Sequence, residues 1–247
     1  MATRSKSAKP RKTAKAALAP RFQPLRWLMR WLWRVVFVAA ALVLLMALLY
    51  KVVNPPTTLY MLSEGRRLGA DVDQKWVPAD RVAPVMLRSV VAAEDANFCT
   101  HWGFDMNAIR DAIEGGGARG ASTLTQQVVK NAYLWQGRTY TRKALEALIT
   151  PVVEGVWSKR RILEVYLNIA EFDEGVFGVE AAAYHYFGVG PDALSPTQAA
   201  RLAAILPNPK GRSAANPSNF VRRRAASIRD GAATIARDGR AACFEPG

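Results

Sequence analysis

The chain has 247 residues, enough for one compact domain with an appendage. Its net charge of +14 suggests a nucleic-acid-binding protein, but the excess lies at one end, because residues 1–34 hold ten Lys/Arg and no acidic residue. Residues 54–247 contain 23 basic and 20 acidic residues, so this part is close to balanced. The charge distribution therefore argues against nucleic acid as a partner.

An apolar segment, residues 35–53, follows the basic tail. It opens with sixteen apolar residues, and with the two valines after Lys51 it approaches the roughly twenty residues that cross a bilayer. Basic residues before the segment and tryptophans at its edge predict one transmembrane helix with a cytoplasmic N-terminus. A cleaved signal peptide is the alternative, but no small-residue cleavage site precedes Asn54-Pro55-Pro56. Residues 54–247 are then predicted to form a periplasmic domain.

The hydrophobic pattern of that domain is helical. Val82, Met86 and Val90 recur every four residues, as on one face of a helix, and Glu94 takes the next position on that face. Helical stripes recur further along, and alternating strand-like runs are scarce. The fold class is therefore predicted to be mostly α. Pro151 is expected to kink or divide its helix.

Glu94 is the first candidate catalytic residue. A carboxylate that continues an apolar face is partly desolvated, which raises its pKa and makes it a better base near neutrality. The alternative is a helix-end carboxylate paired with a nearby Arg or Lys. Spacing alone does not separate the two.

Glu146 is the second candidate. Arg142 and Lys143 lie four and three residues before it, a common arrangement for surface ion pairs. Glu146 also flanks the apolar stripe of Ile149 and Val153, which would bring its side chain to the edge of the core. A surface ion pair and a functional carboxylate both remain open.

A polar helix face is predicted between the two glutamates. Thr123, Gln127 and Lys130 share this face, and Ser122 or Thr123 is suited to cap the helix. An ammonium and amides near a helix N-terminus suit a pyrophosphate site, and Arg138, Arg142 and Lys143 would add cations nearby. An ordinary solvated face is the alternative.

Other polar residues suggest no chemistry. Arg160, Glu164 and Asn168 are spaced as a surface row along a helix. His101 and His185 have no partner at metal-ligand spacing, so no protein metal site is predicted. Cys99 and Cys243 could pair in an oxidising compartment, but two cysteines make no disulfide framework, and two free thiols are the favoured expectation.

Five segments, in this order, resemble the motif blocks of the peptidoglycan glycosyltransferases of family 51. They read EDANFCTHWGFD, GASTLTQQVVKN, RKALE, KRRILEVYLN and AAAYHYFG. One block would be weak evidence, but five in order with compatible gaps are specific. The resemblance extends from about Pro55 to Cys243, and it implies a lysozyme-like helical domain with a smaller lobe close to the membrane.

The resemblance also implies a reaction. Lipid II would be polymerised into β-1,4-linked glycan, with configuration inverted and undecaprenyl pyrophosphate released. Glu94 would deprotonate the acceptor 4-hydroxyl, and Glu146 would assist departure of the pyrophosphate directly or through a divalent cation such as Mg²⁺ or Mn²⁺. Lys130, Arg138 and Arg142 would hold the pyrophosphate.

Further positions follow from the same blocks. Ser122, Gln127 and Lys143 would line the surrounding cleft. The residues that would shape the first block are Asp95, Phe98, His101 and Gly103. Residues 115–120 fall where the family has a mobile element. The implied partners are lipid II, the growing lipid-linked glycan, the inner membrane and other cell-wall synthesis proteins.

Two other cell-wall activities fit these residues less well. No serine is followed by a lysine three residues on, as a transpeptidase nucleophile would require, so the chain is expected to polymerise glycan without cross-linking it. A lytic transglycosylase with a lysozyme-like fold is the alternative enzyme. Such an enzyme needs an acid for the glycosidic oxygen but has little use for a cationic pyrophosphate site or a membrane anchor.

Overall fold

The structure is a computed structural model that describes residues 23–115, 120–137 and 139–245. Arg138 and most of the predicted mobile element therefore lie outside the described residues. The described chain contains ten α-helices, three short strands and three 3₁₀ turns. The prediction of a mostly α fold is confirmed, while the likeness to lysozyme and the boundaries at residues 34 and 53 stay predictions.

The helices occupy most of the described chain. Their bounds are α1 Pro24–Val52, α2 Leu59–Leu68, α3 Pro84–Glu94, α4 Met106–Glu114, α5 Leu124–Tyr133, α6 Tyr140–Val156, α7 Lys159–Ile169, α8 Val179–Phe187, α9 Pro196–Ile205 and α10 Asn219–Arg237. The strands are β1 Asp73–Gln74, β2 Glu171–Asp173 and β3 Val176–Phe177. They form one small sheet in which β3 is central, parallel to β1 and antiparallel to β2.

Helix α1 is long and apolar enough to cross a membrane. It has 29 residues, and its most apolar 18-residue window has a mean hydropathy of 2.6. At 1.5 Å per residue such a helix is about 43 Å long, more than the hydrocarbon core of about 30 Å. Its side chains between Leu25 and Leu42 are exposed and mostly apolar, as expected for a surface that faces lipid.

Contacts divide the chain after Leu42, and residues 43–245 form the larger unit. Within it, α3 packs on α9 and α10, while α5 packs on α6 and α7. The predicted face of α3 is confirmed, since Met86 and Val90 are fully buried. The end of α3 lies against α10, and a hydrogen bond from Gln127 joins it to the first half of α5.

Helix α6 runs undivided through Pro151, so the expected division does not occur and the expected kink stays a prediction. Two other sequence predictions are wrong. Asn168 is completely buried rather than part of a surface row, and its amide exchanges hydrogen bonds with the backbone N–H and C=O of Val77 at 2.7 and 2.8 Å. The helical spacing alone indicates a surface residue, whereas the fold uses this side chain to satisfy the backbone of a distant loop.

The second wrong prediction concerns the cysteines. Cys99 and Cys243 form a disulfide, with their Cα atoms 5.7 Å apart. The two residues are separated by 144 positions, so the chain spacing carried no sign of the pairing. The segment after α10 returns to the loop after α3, where Phe244 packs against Phe98. This tertiary contact brings the cysteines together.

Candidate active site

Glu94 is the last residue of α3 and lies at the wall of a cavity of about 260 Å³. Its side chain is only 12% exposed. Burial raises the pKa of this carboxyl, and the hydrogen bond from Gln127 and the charges of Arg224 and Lys130 oppose the increase. The expected position of Glu94 on the apolar face, with its raised pKa, is confirmed.

The two carboxylate oxygens of Glu94 have different surroundings. Oε2 accepts a hydrogen bond from Nε2 of Gln127 at 2.9 Å. Oε1 is buried without a hydrogen-bond partner in the described chain and lies 3.9 Å from a guanidinium nitrogen of Arg224. A carboxylate with so few hydrogen bonds keeps its basicity, because several donors would depress its pKa strongly.

Glu146 is only 2% exposed and lies among cationic side chains, so the ion pairs that it forms are not surface ion pairs. Nη1 of Arg142 donates to Oε2 at 2.8 Å, and the Lys143 ammonium donates to Oε1. Lys143 also donates to Oγ of Ser122 at 3.1 Å. The structure thus brings Ser122, Arg142, Lys143 and Glu146 into one cluster, which we call the cation cluster.

Lys130 connects the two carboxylates electrostatically. Burial lowers the pKa of its ammonium, and this effect is opposed by the negative charges of Glu146 and Glu94. The charges of both glutamates thus act on the same ammonium. A desolvated lysine that interacts with both carboxylates is suited to hold an anion in this region.

The first motif block builds a rigid support behind Glu94. Oδ1 of Asp95 lies 2.7 Å from Nε2 of His101, and Oδ2 accepts from the backbone N–H of Leu124 at the start of α5. Thr123 caps α5 and donates its hydroxyl to the carbonyl of Gly103 at 2.8 Å. Asp95 also lines the cavity, but both of its carboxylate oxygens are taken by these contacts, which tie the loop after α3 to the start of α5.

Gly103 occupies a place that only glycine fits. Its φ is +82°, and a Cβ there would lie 2.6 Å from Cγ2 of Thr150 and 3.0 Å from Cγ of Glu154. Phe98 is fully buried behind the same loop. Their predicted role in shaping the loop agrees with this packing.

Several residues of the site were missed in the sequence. Lys159 donates to the carbonyl of His101 at 2.8 Å and to Glu154 at 2.9 Å, and Glu154 also accepts from the hydroxyl of Thr125. Arg224 lies outside all five blocks. Its only sequence signal is that it flanks the buried stripe of Val221, Ala225 and Ile228 on α10.

The surroundings of Glu146 do not provide a ligand set for a divalent cation. Both carboxylate oxygens already accept hydrogen bonds from cationic side chains. Across the described ranges there is no group of three His, Cys, Asp or Glu side chains placed to hold a metal ion. The other histidine with a nearby carboxylate, His185, has its Nε2 3.2 Å from Oδ2 of Asp173, which makes a pair and not a group of three. The role of Mg²⁺ or Mn²⁺ stays a prediction.

A buried carboxylate with a raised pKa and a nearby cation cluster are features that suit a group transfer with an anionic leaving group. A family model described as Transglycosylase matches residues 62–232. A biosynthetic peptidoglycan transglycosylase of Jannaschia sp. (strain CCS1) is 62% identical over 215 residues, covering 87% of this chain and 90% of that relative. Those of Pseudomonas fluorescens (strain SBW25) and Rhodospirillum centenum (strain ATCC 51521 / SW) are 50% and 46% identical, covering 79% and 83% of this chain and 85% and 90% of their own lengths.

The chain belongs to the transglycosylase family. It is a glycosyltransferase of peptidoglycan synthesis that builds glycan strands, and the lytic alternative is not favoured. Membership of this family implies a peptidoglycan precursor of the lipid II kind as substrate. The apolar helix α1 fits an inner-membrane anchor.

Proposed function

We propose that this chain polymerises lipid II into β-1,4-linked glycan, with Glu94 as the general base and the cation cluster as the site of the departing pyrophosphate. The observation that carries the proposal is the pairing of a desolvated, weakly hydrogen-bonded carboxylate with a group of cations that share Lys130 as an electrostatic neighbour. Side chains then supply both the base for the acceptor hydroxyl and the cations for the departing pyrophosphate, as an inverting glycosyl transfer requires.

The bond changes follow from these positions. Glu94 takes the proton from the 4-hydroxyl of the acceptor sugar, and the oxygen forms a bond to C1 of the donor sugar. The bond between C1 and the phosphate oxygen breaks, and its electron pair leaves with the pyrophosphate. The positive charges of Lys130, Arg142 and Lys143 stabilise the growing negative charge on that oxygen. Arg138 is included among these cations only because the resemblance to the family implies it.

Glu146 contributes by holding cations in place. Because its two oxygens accept from Arg142 and Lys143, removal of its charge would release both side chains from their present positions. Glu146 is therefore expected to act on the leaving group through these cations. A divalent cation would have to take most of its ligands from the pyrophosphate itself, and omission of Mg²⁺ and Mn²⁺ with added chelator tests that requirement.

We also propose that the N-terminus is cytoplasmic and that residues 54–247 lie in the periplasm. The basic residues before α1 favour this orientation. The disulfide between Cys99 and Cys243 supports it, because disulfides persist in oxidising compartments such as the periplasm. The domain would then share a compartment with the lipid-linked precursor and with other cell-wall synthesis proteins.

The test is a gel assay of glycan strands made from purified lipid II. Wild type should give polymer, Glu94→Gln should lose at least about 100-fold of the rate because the general base is gone, and Glu146→Gln should also slow strongly. Glu174→Gln is the matched control, since Glu174 is an exposed carboxylate with a 53% exposed side chain. Full activity of Glu94→Gln would disprove the assignment of the base, and cleavage of finished glycan by wild type would favour a lytic enzyme.

A further inference from the structure

Arg224, on the C-terminal helix α10, makes the only ion-pair contact of Glu94 in the described part of the chain. We propose that Arg224 is a positioning residue for the general base, whose guanidinium compensates the charge of the buried carboxylate without forming a hydrogen bond to it. The proposal rests on the proposed role of Glu94. It adds a residue that lies outside the five sequence blocks.

The distance between the guanidinium of Arg224 and the carboxylate of Glu94 determines which interaction they can form. Its Nη2 lies 3.9 Å from Oε1 of Glu94, beyond hydrogen-bond distance but within the range of a strong charge interaction. Oε1 is buried and has no other polar partner in the described residues. An uncompensated buried carboxylate oxygen is costly, so a nearby cation favours the ionised form.

Within the described ranges, Arg224 has no stronger partner that would hold its guanidinium away from Glu94. Its Nε is buried without a hydrogen bond in the described chain, and Nη2 makes only a long contact of 3.4 Å to the carbonyl of Ala93. Ala93 immediately precedes Glu94, so this contact also directs the guanidinium toward the end of α3. The side chain is 33% exposed and can follow the carboxylate when a substrate enters.

Other titratable groups also interact with Glu94. Lys130 approaches from α5, the phenol of Tyr166 from α7, and Asp95 follows directly in the chain. Arg212 is near both Arg224 and Glu94, but it donates to the carbonyl of Ala204 at 3.0 Å and stacks over a phenylalanine ring. Arg212 is thus held by other partners, and Arg224 is the cation directed at Oε1.

The expected consequence has a definite sign. An opposite charge within about 4–6 Å lowers a carboxyl pKa by about 1–3 units, and the partial exposure of Arg224 places its effect at the lower end, about one unit. Arg224→Gln removes this charge, so the pKa of Glu94 should rise by about one unit. The acid limb of the pH profile of kcat/KM should move to higher pH by the same amount.

The chain offers close controls. Arg223→Gln makes the same change of charge one position earlier, at an exposed side chain that makes no ion pair with Glu94 in the described chain. Arg224→Lys keeps the charge, so the acid limb of its pH profile should lie close to that of wild type. Should Arg224→Gln lose its fold in thermal melts, Arg224→Met retains the apolar stem of the side chain and removes only the charge.

A measurement that does not need activity completes the test. Full-length protein with ¹³C-labelled glutamate carboxyls is titrated by NMR, and the signal missing from Glu94→Gln identifies Glu94. An upward shift of its pKa in Arg224→Gln, absent in Arg223→Gln and reversed in Arg224→Lys, supports the proposal. An unchanged pKa in Arg224→Gln, or an equal shift in Arg223→Gln, overturns it. Because this titration does not use lipid II, a failure of the proposed function would appear separately, as wild type without polymer.

Discussion

Gln127 donates a hydrogen bond from Nε2 to Oε2 of Glu94 at 2.9 Å, and this contact joins the end of α3 to the first half of α5. The amide is itself oriented, because the hydroxyl of Tyr166 donates to its Oε1 at 3.4 Å. The proposed base is thus held by a neutral donor that stabilises its charged form. Gln127 acts on the carboxylate in this structure, whereas the sequence suggested only a place in the cleft.

Gln127→Leu should lower kcat more than it raises KM. A hydrogen bond to a charged group contributes about 1.5–3 kcal/mol, which corresponds to a rate loss of about 10- to 100-fold if the carboxylate is misplaced or protonated. Steady-state polymerisation of lipid II measures both constants. Gln198→Ala is the control, because it removes a capping hydrogen bond of α9 and should affect stability rather than rate. A Gln127→Leu enzyme with normal kcat would contradict this role.

The pH profile of kcat/KM should cover a narrower range of pH than the ordinary pKa values of Glu94 and Lys130 would give. Glu94 must be ionised and its pKa is raised from 4.5, so the acid limb should lie above that value. Lys130 must be protonated to bind pyrophosphate and its pKa is lowered from 10.5, so the alkaline limb should lie below that value. The measurement is kcat/KM across pH in wild type and Lys130→Arg. Since arginine stays protonated, the alkaline limb should move upward in this variant, and an unchanged limb would assign it to another group.

Glu94→Gln should stabilise the protein in a pH-dependent way. The pKa of Glu94 is higher in the folded state than in the unfolded chain, so its contribution to stability is present at low pH and is lost as pH rises through the folded pKa. The neutral amide avoids that loss. Thermal melts should show a higher midpoint for the variant near pH 7 and little difference near pH 4. A midpoint difference of the same size at both pH values would show that the charge is not responsible.

Loss of the disulfide should destabilise the fold more than it slows the reaction. Cys99 and Cys243 are 144 residues apart, and a disulfide that closes so long a loop contributes about 2–5 kcal/mol to the free energy of unfolding. Cys99→Ala with Cys243→Ala should therefore lower the denaturation midpoint, as should a reductant acting on wild type. The double variant is its own control, because reductant should leave it unchanged. Equal midpoints for wild type and the double variant would contradict the expected contribution.

Local rules read from the sequence predicted much of the site. The cap of α5 is Thr123, with Gln126 completing a capping box, and the four-residue spacing placed Glu94 on the buried side of α3. The five blocks supplied the family and the candidate residues. Each of these features depends on neighbours within a few positions or on a pattern of letters, which a sequence contains in full.

Contacts between distant segments were not predictable in the same way. Periodicity placed Asn168 and Glu146 on helix faces but could not say what covers those faces, and the fold buries both. The partners that cover or join such residues come from elsewhere in the chain: Val77 for Asn168, and Cys243 for Cys99.

The sequence by itself determined the membrane-suited helix, the helical class and the family of this protein, because these depend on local composition and ordered motifs. Only the tertiary structure decided how Glu94 is supported. Its two oxygens face Gln127 on α5 and Arg224 on α10, and the packing of α3 against α10 brings Arg224 there across 130 residues of chain. The pKa of the proposed base depends on that packing, since burial and the charges around it set the free energy of its ionised form.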